Sequence, residues 1–564
     1  KFRFSLFTQP LKKGDTMRRH LFFKKACIFT VILSLAVLSF GGCKGGDDTA
    51  GTFDGDVSFP LKEPVTLTYW VPLGGSVGVI DDFSQMGMYK ELEKKTNVKI
   101  EFIHPVESQL SEQFNIMIAS GTYPDIIDGM SYYSGGLTKA YNDGIIVRLN
   151  DLIDRYAPNL KKIYETYPAL LPYVLDENGD HFVFPSLKGG AVLRQGNGPI
   201  FRKDWLEKLN LSVPETIDDW TNTLRAFKNN MNAKRPLILT TKDLKKDILI
   251  GAFGIKYDFY VDNGKVKYGP YEQNYKEYLK LLKQWYDEGL LDKEFGTLNT
   301  KMIDSSILNN EGGAYIGVLG NGLQRYLTLT TDPSFALQPV PYPVLHKGDS
   351  QTIETLASIV GSKNCAITTA CKNPEIAAAW LDYAYSKEGS LICNFGVEGE
   401  SYTMENGYPT FTKLLTNNPE GKPFSTMGRM YARSFSVGPF VLDTRYGEQF
   451  FSMDVQKEAV DVWGKYAKEA EEASHEYLGT LNPDEISQTT SKMNQIQTYA
   501  DEYFIKFILG NASLDEFDRY LAEMKNMKMD EILAVYQQAY DRFIQKYPNY
   551  KIPYDTDISE IYRK

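Results

Sequence analysis

From residue 65 onward the chain alternates between two hydrophobic periods. Val65-Thr66-Leu67-Thr68-Tyr69-Trp70 has the period of two that marks a strand. Tyr89–Thr96 reads as the end of a helix, and Val98, Ile100 and Phe102 alternate again as a second strand. Leu110, Phe114, Met117 and Ile118 fall on one helical face, with Gly121 as the C-terminal stop. Asp125-Ile126-Ile127 follows as a short buried strand. This strand–helix–strand–helix–strand order predicts a mainly parallel α/β sheet, with functional loops at the carboxyl ends of its strands.

Further along, Asp176-Glu177-Asn178-Gly179-Asp180 lies between apolar runs and reads as a hairpin turn. Its Gly is misplaced for a twelve-residue calcium loop. Thr216-Ile217-Asp218-Asp219 is a capping box that opens a helix with Ile217, Trp220, Leu224 and Phe227 on its apolar face. Asn373 is expected to cap a helix starting at Pro374, with Ala377, Trp380, Leu381 and Ala384 inward and Gly389 at its end. Beyond residue 410 the pattern is almost all helical, and Ser513-Leu514-Asp515-Glu516 caps one of the last helices. No internal repeat or coiled-coil period interrupts this order.

The first sixty residues follow a different pattern. Arg18, Arg19, Lys24 and Lys25 precede fifteen almost wholly apolar residues, Ala26 to Phe40, and then Gly41-Gly42-Cys43. A basic start, a short apolar core and small residues at a cut site make a secretory signal peptide. The core is shorter than the ~20 residues a membrane-spanning helix needs. Its end resembles a bacterial lipobox, in which the cysteine is diacylated and becomes residue one; an ordinary signal with an accidental cysteine is the alternative. Residues 1–16 read as upstream of a start at Met17, 17–42 as the signal, and 43–60, rich in Gly, Asp, Ser and Thr, as a flexible tether.

The leader carries eight Lys/Arg against one Asp, so the −10 of the whole chain becomes −17 from Cys43 onward. An acidic body argues against nucleic acid as a partner. Over five hundred residues exceed one compact core, so at least two domains are expected. After Cys43 only Cys365, Cys371 and Cys393 remain, which excludes a disulfide framework. Buried thiols are expected, with a Cys365–Cys371 or Cys371–Cys393 bridge as the alternative. His104, His181, His346 and His475 lack metal-ligand spacing, and neither a metal nor a cofactor is expected. Aromatics reach 13% of the chain, with 37 Tyr. Proteins that handle sugars use such rings to stack on pyranose C–H faces.

Four blocks in order carry a family resemblance. Ala119-Ser120-Gly121-Thr122-Tyr123-Pro124-Asp125-Ile126 resembles an A-S-G-x-x-P-D-I/V segment. Phe201-Arg202-Lys203-Asp204-Trp205-Leu206 with Pro214-Glu215-Thr216-Ile217-Asp218-Asp219-Trp220 resembles an R-K-D-W-L…P-x-T block. Trp285-Tyr286-Asp287-Glu288-Gly289-Leu290-Leu291-Asp292 is similar to Y-x-E-G-L-I-D, and Phe395-Gly396-Val397-Glu398-Gly399-Glu400-Ser401-Tyr402 to F-G-x-E-G-x-S/T-Y. Together with the lipobox they resemble the extracellular solute-binding proteins of carbohydrate ABC importers, in the large lipoprotein type of Gram-positive bacteria. The resemblance implies a type II, two-lobed periplasmic-binding-protein-like α/β fold with discontinuous lobes, a hinge and a helical C-terminal region. Lobe 1 is expected over 61–190 and the main part of lobe 2 over 191–355. Residues 356–564 are expected to return to lobe 1 and to form a helical region shared between the lobes.

The same resemblance implies a monomer, lipid-anchored on the outer face of the membrane, that passes a carbohydrate to two permease subunits. The runner-up is a secreted glycoside hydrolase, which needs two carboxylates flanking the scissile bond. Glu398 and Glu400 are the tempting pair, yet no nucleophile elbow, Walker loop or dinucleotide turn accompanies them.

Strand ends nominate the ligand residues. Trp70 closes the first strand as a stacking platform or a core ring. Asp128, Tyr132 and Tyr133 follow the Pro-Asp strand. Arg202 and Asp204 follow the strand at 199–201, where Asp204 is alternatively a helix cap. Asn321 lies between Gly320 and Gly322 after an apolar run, and Glu398 and Tyr402 belong to the fourth block. A carboxylate accepts two hydroxyl hydrogen bonds, a tyrosine stacks or donates, and an arginine forks to vicinal hydroxyls or a carboxylate. Relatives often carry Trp after the Pro-Asp strand and after the strand near 319, where this chain has Gly129 and Gly322. Trp285, Trp380 and Phe411 read as core.

Overall fold

The computed structural model describes residues 56–353, 356–436, 438–473 and 475–563, so Cys43 and most of its tether lie outside the described residues. The first alternating run forms β1 (Val65–Trp70), which pairs in parallel with β2 (Val98–Ile103) and with β3 (Ile126–Asp128). The helix Leu110–Ser120 between β2 and β3 stops at Gly121, whose φ of 67° suits a residue without Cβ.

β4 (Phe184–Lys188) completes the first run. β5 (Asn197–Arg202), β6 (Arg235–Ile238), a hairpin of β7 (Phe259–Asp262) and β8 (Lys265–Tyr268), β9 (Gly312–Val318) and β10 (Leu337–Pro339) follow. β11 (Val360–Ile367), the hairpin β12 (Tyr402–Glu405) with β13 (Tyr408–Phe411), and β14 (Val441–Leu442) complete the set.

Two larger sheets organise the lobes. The first has the order β14-β4-β11-β3-β1-β2 and the second β10-β5-β9-β6. The first sheet is less parallel than the early pattern predicts, because β11 enters it from the other lobe and runs antiparallel to both β3 and β4. The chain crosses between the lobes at 189–196, between β10 and β11, after the helix Thr444–Phe450, and again after the helix Met529–Lys546. Past the last crossing, Ile558 and Tyr562 return to the core of the first lobe.

The second lobe's core is aromatic. Trp220 and Trp285 lie parallel with ring centroids 6.4 Å apart, and Trp285 Nε1 donates to Thr221 Oγ1 at 2.9 Å. The Thr216 capping box forms as predicted, with reciprocal bonds between Thr216 and Asp219. Two local expectations are corrected. Asn373 makes no side-chain cap, so Pro374 alone starts the helix Pro374–Tyr383. Gly389 does not end that helix but lies in the first turn of the next, Lys387–Phe395, where its amide bonds the Ser386 hydroxyl. A Cβ at Gly389 would lie 1.8 Å from the Tyr383 carbonyl oxygen, so the close approach of the two helices requires glycine. Cys365, Cys371 and Cys393 are free and buried. Among the described residues no helix is long and apolar enough to cross a membrane.

A candidate ligand cleft between the two sheets

Strand direction identifies the facing edges. β1, β3 and β4 are co-directional, so Trp70, Asp128 and Lys188 end on one edge of the first sheet, where antiparallel β11 begins at Val360. On the second sheet, β9 pairs Val318 with Asn197 of β5, so the end of β9 and the start of β5 share an edge. The crossing from Lys188 to Asn197 joins these two edges, and the cleft lies between them.

The nominated residues divide sharply on this frame. Trp70 is a core residue. Its ring packs edge-on against Phe114 at 5.6 Å and Tyr132 at 6.5 Å. A Cβ at Gly129 would sit 2.2 Å from Trp70 Cζ3, so the ring is sealed beneath the backbone at 129 and has no face for a sugar. Arg202 and Asp204 are also corrected, because Arg202 ends β5 at the edge opposite the cleft. Only 1% exposed, its guanidinium forks onto Asp204 at 2.8 and 2.6 Å and donates to Asn310 Oδ1 at 2.6 Å. It lies 4.6 Å from the Trp205 ring centroid and 4.3 Å from that of Phe335.

Asp128 stands at the correct edge but turns inward. Tyr69 Oη donates to its carboxylate at 3.3 Å, and Arg433 stands 3.9 Å away. Burial raises the Asp128 pKa, with Arg433 and the Tyr69 hydrogen bond opposing it. Arg433 itself is buried, donates to Tyr89 Oη at 2.8 Å and covers Phe83 at 4.4 Å. Nothing near Asp128 in the sequence points to that partner, which comes from a distant loop.

Tyr132 and Tyr133 are half-buried in the loop after β3, with the Tyr133 hydroxyl bonded to Asp143. Asn321 lies in the single π-helical turn Leu319–Gln324 after β9, at the cleft edge. Glu398 is exposed on a turn, and Tyr402 is buried against Phe395 at 5.8 Å within a separate aromatic cluster. The structure therefore leaves Tyr132, Tyr133 and Asn321 beside the cleft and does not bring the other six together there.

A recess of ≈ 820 Å³, continuous with solvent, opens between the lobes instead. Tyr173, Arg194 and Ser358 line it from the first lobe and the crossings, and Lys256, Glu471 and Glu476 from the segments that pack on the second. Arg194 is 5% exposed. Its Nε donates to the Ala357 carbonyl at 2.7 Å and its Nη2 to Glu471 at 2.9 Å, which leaves Nη1 without a partner.

Two lysines outside the lining lie within electrostatic reach of it, Lys188 of Arg194 and Lys363 of Glu476. Burial and the charge of Arg194 push the Lys188 pKa down to about 8. Lys363, on the irregular start of β11, is lowered by burial and pulled back by Glu476. Burial raises Glu476, against the pull of Lys256, Arg194 and Lys363. Lys363 and Glu476 are reached by water yet walled by protein, as side chains in a concave site are. The strand-end rule applied to β4 reaches Lys188. It misses Lys363 because that residue begins an antiparallel strand, and misses Arg194 because it lies in a crossing. Among the described residues no group of three His, Cys, Asp or Glu is placed to hold a metal ion.

Comparison with known proteins agrees with this architecture. The family model for bacterial extracellular solute-binding proteins matches residues 79–390. The chain is 26% identical over 559 residues to the fructooligosaccharide ABC transporter substrate-binding protein FusA of Streptococcus pneumoniae, covering 93% of this chain and 99% of that one. It is 21% identical over 537 residues to the polygalacturonan/rhamnogalacturonan-binding protein YtcQ of Bacillus subtilis, covering 90% and 98%. The solved structure of the alginate-binding protein AlgQ2 without calcium ion superposes with a TM-score of 0.70 at 27% identity, covering 86% of this chain and all of that one.

Proposed function

From the premise that this chain belongs to the bacterial extracellular solute-binding protein family, we propose that it is the substrate-binding component of a carbohydrate ABC importer and takes an oligosaccharide into the recess between its lobes. The observation that carries the proposal is the recess itself. It opens beside the chain crossings and is lined by segments of both lobes. A ligand there gains contacts to the second lobe only on closure, so binding shifts an open–closed equilibrium that a permease can sense. We place the hinge at the four crossings. Tyr173, half-buried at the rim, supplies a ring for a sugar face, and Tyr132, Tyr133 and Asn321 extend the site along the cleft.

Binding without turnover is part of this proposal, and it is supported by the relatives named above being binding proteins. As a monomer lipidated at Cys43 it stays close to its two permease subunits, because a tether raises effective concentration without tight docking. Isothermal titration of the full chain with fructo-, galacto- and uronide oligosaccharides tests the proposal. At least one should bind stoichiometrically and be recovered intact after days. Hydrolysed product would move the protein to the glycosidases, and no binding across all three classes would remove the carbohydrate assignment.

A further inference from the structure

The cleft has an imbalance of charge that a neutral sugar does not satisfy. Around the recess, Arg194 is paired with Glu471 at 2.9 Å and Lys256 with Asp247 at 3.4 Å. Lys188 and Lys363 have no carboxylate in ion-pair contact among the described residues, and Glu476 is the one acidic side chain within electrostatic reach of Lys363. Lys551, also on the lining, spends its ammonium on the Glu472 carbonyl oxygen at 2.7 Å. The excess is therefore cationic, inside a protein whose body is strongly acidic.

A body of one sign around a cleft of the other focuses field lines into the cleft. Closure over a neutral ligand would strip water from two ammonium groups and give them nothing in return, which is costly for any buried charge. Arg194 adds a directional element. Its Nη1 is buried and unpartnered, while Nε and Nη2 are held by Ala357 and Glu471. The guanidinium is thus fixed with one donor free, and charge-assisted bonds from arginine to carboxylate are strong and directional, whereas lysines act as point charges.

Resting on the carbohydrate assignment above, we propose that the ligand is an anionic oligosaccharide, a uronate-containing chain whose carboxylate is held by Arg194 Nη1 with Lys188 and Lys363 on its flanks. The lysines pay their desolvation only when that carboxylate arrives, so the site selects acid over ester. The neutral hydroxyls of the chain fall to Tyr173 and the remaining cleft residues.

The test titrates the full chain with oligogalacturonates, oligomannuronates and oligoguluronates of two to four units, with their methyl esters, and with neutral kestose and galactotriose. At least one acid should bind about a hundredfold more tightly than its own ester. Its affinity should fall with added salt, since screening weakens charge attraction. Lys188→Met and Lys363→Met should each cost the acid about tenfold and leave the melting temperature of the ligand-free chain in place. Arg194→Gln should cost more, and circular dichroism checks that this variant is folded. Equal affinity for acid and ester, or binding of neutral sugars alone, overturns the anionic assignment and leaves the carbohydrate reading standing. Failure of acids, esters and neutral sugars together overturns both.

Discussion

Replacing Arg202 with alanine should damage folding and leave ligand binding alone. The guanidinium is 1% exposed, forked onto Asp204 and bonded to Asn310, with Trp205 and Phe335 over its faces. Removing one partner of such a buried pair strands the other charge and costs about 3–5 kcal/mol. A lobe of this size shifts its melting temperature by about 2–4 °C per kcal/mol, so the variant should melt about 6–20 °C lower. Differential scanning calorimetry of the ligand-free chain measures the shift, and titration with a bound oligosaccharide measures affinity on folded variant below its melting point. Affinity should stay within about twofold, since Arg202 sits on the edge of the second sheet away from the cleft. Arg202→Met with Asp204→Leu should recover much of the loss, because apolar replacement of a whole buried pair is often neutral or stabilising. The reasoning fails if Arg202→Ala melts with the parent and binds at least tenfold more weakly. That result would put the guanidinium on the ligand.

The other predictions are narrower. Trp70→Ala should cost about 3–5 kcal/mol of folding free energy by denaturant titration, because the ring is core and not a platform; an unchanged midpoint would return it to the cleft. Affinity for an acidic oligosaccharide should be constant from above the usual carboxylate range up to about pH 8 and fall as pH rises above it. Free Lys188 titrates near 8, and the bound carboxylate favours its charged form and raises that value, so binding takes up a proton in this window. Calorimetry in buffers of different ionisation enthalpy reads the uptake, and Lys188→Met should flatten it; release of a proton there would reverse the sign and contradict the assignment. Cys43→Ser should leave the protein unprocessed or released from the membrane fraction, and mass spectrometry finding an unmodified mature N-terminus elsewhere would remove the lipid anchor.

Much of the fold is legible in the sequence because it is written in short-range patterns. The alternation at 65–70, the stop at Gly121 and the Thr216 capping box are all local, and each forms where it is read. The site is less legible because it depends on direction and return. β11 meets β3 antiparallel after a passage through the other lobe, which brings Lys363 to the cleft from the start of a strand rather than its end. Arg433 reaches Asp128 from a remote loop. Residue type also misleads: Trp70 and Arg202 have the chemistry of sugar ligands, but the packing of Gly129 and Asn310 around them assigns both to the interior. Gly129, with no Cβ to meet the ring, is what lets Trp70 lie beneath the chain.

The most direct test of the account is a crystal structure of the full chain with an oligosaccharide that binds it. The account predicts density in the recess between the lobes, in contact with Arg194 and Tyr173 from one side and Lys256 or Glu476 from the other. A sugar seated instead on one lobe alone, or on the outer face near Glu398 and Tyr402, would contradict it.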